Sequence, residues 1–254
     1  MFEDIDKLIK TAKNEHDINA LMNINELLLT RLQNLRKEIW STALNTPDNN
    51  IDASVKENYQ FKELFEFVKS HTLIDINRSL NLLKYASCAP ENGDFVECGV
   101  FKGGSAYILN TVKKNRHFYG FDTFTGHPSY NDKADYGCSE VFGTYGIEDI
   151  YPIASKFLES FQNMHLIKGM IPYVFKDIDI KISFAHIDVD LYRSTYESIN
   201  WIYPRLVSKG IIICDDYGFS RYKDAAKKAI DVYMKDKPEK VILLETNQGL
   251  IIKE

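Results

Sequence analysis

Apolar residues recur at helical intervals through the first third of the chain and at strand intervals through the rest. Between residues 18 and 44, Leu21, Ile24, Leu28, Leu32, Leu35 and Ile39 follow the repeat of an amphipathic helix, with Asp17 as its N-cap. The stretch Thr46-Pro47-Asp48-Asn49-Asn50 breaks it, because proline and short polar side chains favour turns. Two further helices are predicted over 61–71 and 75–87, and Ala89-Pro90-Glu91-Asn92-Gly93 ends this region.

From residue 94 the rhythm alternates. Strands are predicted over 95–100, 117–122, 164–168, 180–188 and 210–215, with helices over 104–114, 150–161, 193–206 and 221–235. A long polar loop covers 123–146. Strands over 240–245 and 250–253 flank Thr246-Asn247-Gln248-Gly249, a hairpin signal. Alternating strands and helices predict an α/β fold: a Rossmann-like, doubly wound, mostly parallel sheet with a C-terminal antiparallel hairpin. Residues 1–90 form a helical N-terminal extension to the domain over 91–254. Ligands of such sheets bind beyond the carboxyl ends of the strands, so the strand ends are where chemistry is sought.

Composition narrows the function. Thirty-one basic against 36 acidic residues give a net charge of −5, which disfavours a nucleic-acid or membrane-surface role. No apolar run reaches the roughly 20 residues that span a bilayer. The acidic start, Met1-Phe2-Glu3-Asp4, does not read as a secretion signal. Cys88, Cys98, Cys138 and Cys214 lack metal-ligand spacing, and two of them fall in or at the end of predicted strands, so reduced thiols in a cytoplasmic protein are expected.

Four strand-end motifs carry the candidate chemistry. Glu97-Cys98-Gly99-Val100-Phe101-Lys102-Gly103-Gly104-Ser105 ends one strand and opens a helix. Its glycines suit close backbone approach to a ligand or simply a tight turn, and Glu97 would favour a cationic ligand over a pyrophosphate. Asp122 ends the next strand about 20 residues on, where a carboxylate can bind ribose hydroxyls or cap a loop. His186-Ile187-Asp188-Val189-Asp190-Leu191-Tyr192 and Cys214-Asp215-Asp216-Tyr217 bring carboxylates to one sheet edge. Such a group repels itself unless it is protonated or bound to a cation, and oxygen ligands suit Mg²⁺, Mn²⁺ or Ca²⁺. His186, Trp201, Tyr192 and Tyr217 read first as packed residues, and His127 as a solvated loop histidine.

These four motifs, the second running Asp122-Thr123-Phe124-Thr125-Gly126, resemble the macrocin O-methyltransferase (TylF/MycF) family over about residues 90–254. The resemblance implies a class I methyltransferase fold, S-adenosylmethionine as methyl donor, and a divalent metal, Mg²⁺ or Mn²⁺. It implies that Glu97, Gly99, Gly104, Ser105 and Asp122 bind the cofactor and that Asp188, Asp215 and Asp216 hold the metal. Asp188, Asp190 and His127 are the candidate proton acceptors. The family often has Gly-Leu-Pro after the Asp122 motif, whereas this chain has Gly126-His127-Pro128.

The expected reaction is methylation of a sugar hydroxyl. The Lys-, Asn- and Ile-rich composition points to a nucleotide-activated sugar for a surface (capsule) polysaccharide, with a glycosylated natural product as the alternative. A nicotinamide-dependent oxidoreductase is disfavoured by the absence of GxGxxG, and a non-catalytic binding protein by the intact carboxylates. The leucine-rich helix predicts a homo-oligomer.

Overall fold

The computed structural model describes residues 59–128, 148–219 and 223–254. The helix predicted over 18–44, Cys138, Arg221 and the loop from 129 to 147 lie outside the described residues.

Helices α1 (Tyr59–Val68) and α2 (Ile76–Ser87) come first, joined by a 3₁₀ turn at Lys69–His71. Asp75 caps α2, its side chain accepting from the backbone N–H groups of Asn77 and Arg78. Then follow β1 (Asp94–Cys98), α3 (Gly104–Val112), β2 (Phe118–Asp122), α4 (Tyr151–Leu158) and β3 (Met164–Lys168). The second half is β4 (Ile182–Ile187), α5 (Tyr192–Arg205), β5 (Leu206–Cys214), α6 (Lys228–Met234), β6 (Ile242–Leu243) and β7 (Gly249–Ile252). The strand order is β3-β2-β1-β4-β5-β7-β6. All pairings are parallel except β5–β7 and β6–β7.

The sheet alternates residues between two cores. Phe95, Phe118 and Phe184 face α2, α3 and α4 through Leu82, Ala106, Leu109 and Leu158. Val96, Phe121 and Ala185 face α5 and α6 through Ile199, Trp201, Ile202 and Ile230. Each fully buried phenylalanine contributes roughly 1.5–3 kcal/mol. Trp201 stacks on Phe175 at 4.4 Å, in line with its reading as a packed residue.

The predicted boundaries shift in two instructive places. Strand β1 stops at Cys98 because Gly99 takes a positive φ of 93°. The helix predicted over 221–235 is regular only from Lys228, after a wider π turn at Lys223–Lys227. Cys88, Cys98 and Cys214 are free thiols, and burial pushes that of Cys98 up to about 12. No helix among the described residues is long and apolar enough to cross a membrane.

Candidate active site

Strands β1, β2, β4 and β5 end side by side, and each delivers part of the site. The end of β1 is pinned to β4 by a hydrogen bond from the Asp188 N–H to the Cys98 carbonyl, 2.9 Å. The contact leaves no room at Gly99: a Cβ there would lie 1.8 Å from the Asp188 carbonyl oxygen. Gly103, φ 95°, sits at the N-cap of α3. At Gly104 a Cβ would come 2.7 Å from Thr72 Cβ and 2.8 Å from the His71 carbonyl carbon. Gly104 therefore lets α3 start against the segment that follows α1. Ser105 is buried beside it.

Asp122 binds this turn together. One carboxylate oxygen, Oδ2, accepts from the N–H groups of Val100 and Phe101, both at 2.8 Å, and Oδ1 accepts from that of Phe124 at 2.7 Å. The glycine turn and the acidic end of β2 are thus one hydrogen-bonded unit. The capping role anticipated for Asp122 is observed, and the carboxylate spends three of its acceptor positions on it.

Strands β4 and β5 supply the carboxylates. Oxygen atoms of Asp188, Asp215 and Asp216 lie within 4.8 Å of one another. Asp215 and Asp216 are buried. Burial first, then repulsion from Asp215 and Asp190, holds Asp188 well above the usual carboxylate range. Asp216 is pushed the same way by burial and by Asp190, Asp188 and Asp215. Asp215 moves the other way: burial would raise it, but Arg78, His186 and Gln248 outweigh that and lower it.

His186, fully buried, faces Glu97 Oε1 through Nδ1 at 2.8 Å. Burial would lower its pKa, but the Asp215 and Glu97 carboxylates raise it to about 10. Its Nε2 stands 3.7 Å from Asp215 Oδ1, an ion-pair distance too long for a hydrogen bond. Both His186 Nε2 and Glu97 Oε2 are buried without a hydrogen-bond partner among the described residues. The structural hydrogen bond anticipated for His186 is present.

Asp190 adopts a left-handed conformation, φ 55°, three residues beyond the end of β4. Its Oδ2 lies 2.9 Å from His127 Nε2, and both side chains are largely covered. His127 is therefore no solvated loop histidine: its loop turns inward and places it against a site carboxylate. The structure thus gathers Asp188, Asp190, Asp215, Asp216 and His127 on one edge, with Glu97 linked to them through His186.

Sequence reasoning missed Arg78 and Gln248. Arg78 comes from α2, and its Nη1 donates to Asp215 Oδ2. Gln248 was legible only as a turn residue, yet it is fully buried and its Nε2 donates to Asp215 Oδ1 at 2.9 Å. No spacing ties either residue to the motif at 214–217.

A parallel sheet in the order 3-2-1-4-5-7-6, with its seventh strand reversed and its acidic residues at the strand ends, defines a class I methyltransferase. The Macrocin-O-methyltransferase (TylF) family profile matches residues 68–241, and the chain belongs to that family. It is an S-adenosylmethionine-dependent O-methyltransferase. Demethyldecarbamoylnovobiocin O-methyltransferase of Streptomyces niveus is 25% identical over 182 residues, 65% of this chain and 68% of its own length. The 8-demethyl-8-(2,3-dimethoxy-alpha-L-rhamnosyl)-tetracenomycin-C 4'-O-methyltransferase of Streptomyces olivaceus is 25% identical over 177 residues, 61% of this chain and 66% of its own length. The solved O-methyltransferase NovP superposes with a TM-score of 0.61 at 21% identity, covering 72% of this chain and 82% of that one.

Proposed function

We propose that this enzyme methylates a sugar hydroxyl with the help of a divalent cation, Mg²⁺ or Mn²⁺, held by Asp188, Asp215 and Asp216. One observation carries the reading: oxygens of the three carboxylates lie within 4.8 Å of one another, where burial and mutual repulsion disfavour Asp188 and Asp216 as anions. A cation relieves that repulsion, and an all-oxygen donor set suits a hard one. The methyl donor is proposed to lie over Glu97, Gly99, Gly104, Ser105 and Asp122. Glu97 fits a cationic ligand, since its buried Oε2 has no hydrogen-bond partner among the described residues.

S-adenosylmethionine supplies an electrophilic methyl group, and a divalent cation lowers the pKa of a hydroxyl bound to it. The chain's own residues aim the acceptor and take its proton. Asp188 and Asp190 stand where a hydroxyl proton can be received, and His127 Nε2 gives Asp190 Oδ2 a neighbour through which the proton can be shared. His186, Asp215 and Gln248 are fully buried beside the cluster.

The acceptor proposed is a nucleotide-activated sugar destined for a surface polysaccharide such as a capsule, in keeping with the Lys-, Asn- and Ile-rich composition. The names of the two Streptomyces relatives favour a second reading, a glycosylated natural product. We further propose a cytoplasmic homo-oligomer. A methyl-transfer screen across nucleotide sugars and glycosides, read as a gain of 14 mass units, about one CH₂, decides between acceptors. EDTA should abolish transfer and Mg²⁺ or Mn²⁺ restore it. Asp188→Asn and Asp215→Asn should each lower turnover by about 10² or more with the fold intact. Full activity after chelation would overturn the metal assignment.

A further inference from the structure

We propose that Arg78 is a positioning residue for Asp215, and that helix α2 thereby sets the geometry of the metal-binding carboxylates. The inference rests on the metal reading above, and it assigns a function to a helix that no strand-end motif reaches.

Arg78 is held on several sides. Its Nε donates to Asp75 Oδ2 at 2.8 Å, its Nη1 to Asp215 Oδ2, and its Nη2 reaches the Leu73 carbonyl at 3.5 Å. The guanidinium carbon stands 5.3 Å from the centre of the Phe219 ring. Asp75 also caps α2, so one carboxylate fixes both the helix start and the arginine that leaves it. Burial opposes the charge on Arg78, but Asp215, Asp75 and Asp188 together hold it cationic.

A second path runs from the same helix to the other oxygen of Asp215. Asn81, three residues after Arg78 and so on the same face, donates from Nδ2 to Gln248 Oε1 at 3.1 Å and to Thr246 Oγ1 at 2.9 Å. Thr246 Oγ1 donates to Gln248 Oε1 at 3.0 Å. These bonds fix the Gln248 amide so that its Nε2 points at Asp215 Oδ1, 2.9 Å away. Both oxygens of Asp215 are thus anchored to α2, one directly and one through the hairpin turn. A carboxylate held at both ends cannot rotate, and each oxygen still keeps a lone pair for a cation.

A bare counter-ion would need only charge, whereas positioning needs the planar fork of arginine. The two are separable with Mn²⁺ as the probe. The full-length protein and the variants Arg78→Lys, Arg78→Met and Asn81→Ala are titrated with Mn²⁺ and followed by electron paramagnetic resonance. S-adenosylmethionine calorimetry and thermal melting on each serve as controls. Lysine keeps the charge and loses the fork, so Arg78→Lys should weaken Mn²⁺ binding about tenfold or more, with S-adenosylmethionine affinity within twofold of the parent. Asn81→Ala, which leaves Arg78 in place, should weaken Mn²⁺ about threefold and keeps the test open should Arg78→Met fail to fold. Parental Mn²⁺ affinity in Arg78→Lys, or tighter binding in Arg78→Met, would show that Arg78 acts only as a competing charge and overturn the proposal. Absence of Mn²⁺ binding by the unaltered protein would instead sink the metal reading itself.

Discussion

Replacing Gly99 by alanine tests whether β1 and β4 really meet as closely as the site requires. Two costs can be worked out. A residue with a side chain at φ 93° carries about 1–2 kcal/mol of backbone strain. The new Cβ would also lie 1.8 Å from the Asp188 carbonyl oxygen, and real Cβ contacts essentially never fall below 3.0 Å. Something must move by about 1.2 Å, and the obstacle is backbone, which cannot swing aside. The bond from the Asp188 N–H to the Cys98 carbonyl would be stretched or lost, at a further cost of about 1 kcal/mol. Gly103→Ala is the control. It has nearly the same φ, 95°, but its Cβ would meet the Leu158 side chain at 2.9 Å, a contact with side-chain rather than backbone atoms that a small shift relieves. Gly103→Ala should therefore cost about 1–2 kcal/mol and Gly99→Ala about 3–5 kcal/mol, measured by urea unfolding followed by circular dichroism. Gly99→Ala should in addition weaken Mn²⁺ binding, since Asp188 is the residue displaced. Equal costs for the two variants would refute the close approach.

Asp122→Asn should destabilise the fold by about 1–3 kcal/mol, because an amide offers one acceptor oxygen where Val100, Phe101 and Phe124 now use two. Unchanged urea stability would mean that the cap is idle, and any loss of S-adenosylmethionine affinity would then belong to direct contact. His127→Ala should lower kcat about 10²-fold once an acceptor is found, while leaving Mn²⁺ affinity within twofold. An unaltered kcat would remove His127 from proton transfer.

The parallel sheet was legible because its apolar runs and punctuating turns are local signals. So were Asp188, Asp215 and Asp216, since strand ends in this kind of sheet converge by topology alone. What stayed hidden depends on contacts between distant parts of the chain. Arg78 lies 137 positions from Asp215, and nothing in the pattern of α2 separates it from an ordinary exposed arginine. Gln248 sits in a hairpin turn, where a polar residue is expected at the surface, but the antiparallel pairing of Cys214 with Gly249 carries it inward beside Asp215. His127 was misjudged for a related reason: a polar loop predicts solvent, and only the fold shows that Asp190 waits at the end of β4. Gly104 was assigned to the cofactor on its place in the motif, and the motif did not show that its missing side chain also makes room for His71 and Thr72. In each case the local rule was sound and a tertiary neighbour decided the outcome.

The charges of the site make a further prediction. Among the described residues, Glu97, Asp188, Asp190, Asp215 and Asp216 are met by Arg78, by His186 and, at Asp190, by His127. Burial first, then repulsion among the carboxylates, holds Asp188 and Asp216 well above the ordinary carboxylate range. A group whose pKa is raised by folding contributes stability below its unfolded pKa and loses it as pH rises through the folded value. Asp188 and Asp216 are raised, and so is His186, to about 10 against 6.5. All three slopes therefore have the same sign, those of the carboxylates beginning at 3.8 and that of His186 at 6.5. Asp215, which is lowered, gives the opposite slope only at acid pH, below its usual 3.8. The chelated protein should thus lose stability as pH rises from 3.8 through the raised carboxylate range and, through His186, from 6.5 towards about 10, and Mg²⁺ should flatten the carboxylate part of the decline by replacing protons on the two carboxylates. The same exchange makes cation binding release protons wherever the two carboxylates still hold them, so in the acid part of that range the calorimetric enthalpy of Mn²⁺ binding should vary with the ionisation enthalpy of the buffer. An enthalpy independent of buffer, together with a stability that rises with pH in EDTA, would mean that Asp188 and Asp216 are already ionised, and that the cluster is balanced by cations other than those the fold supplies.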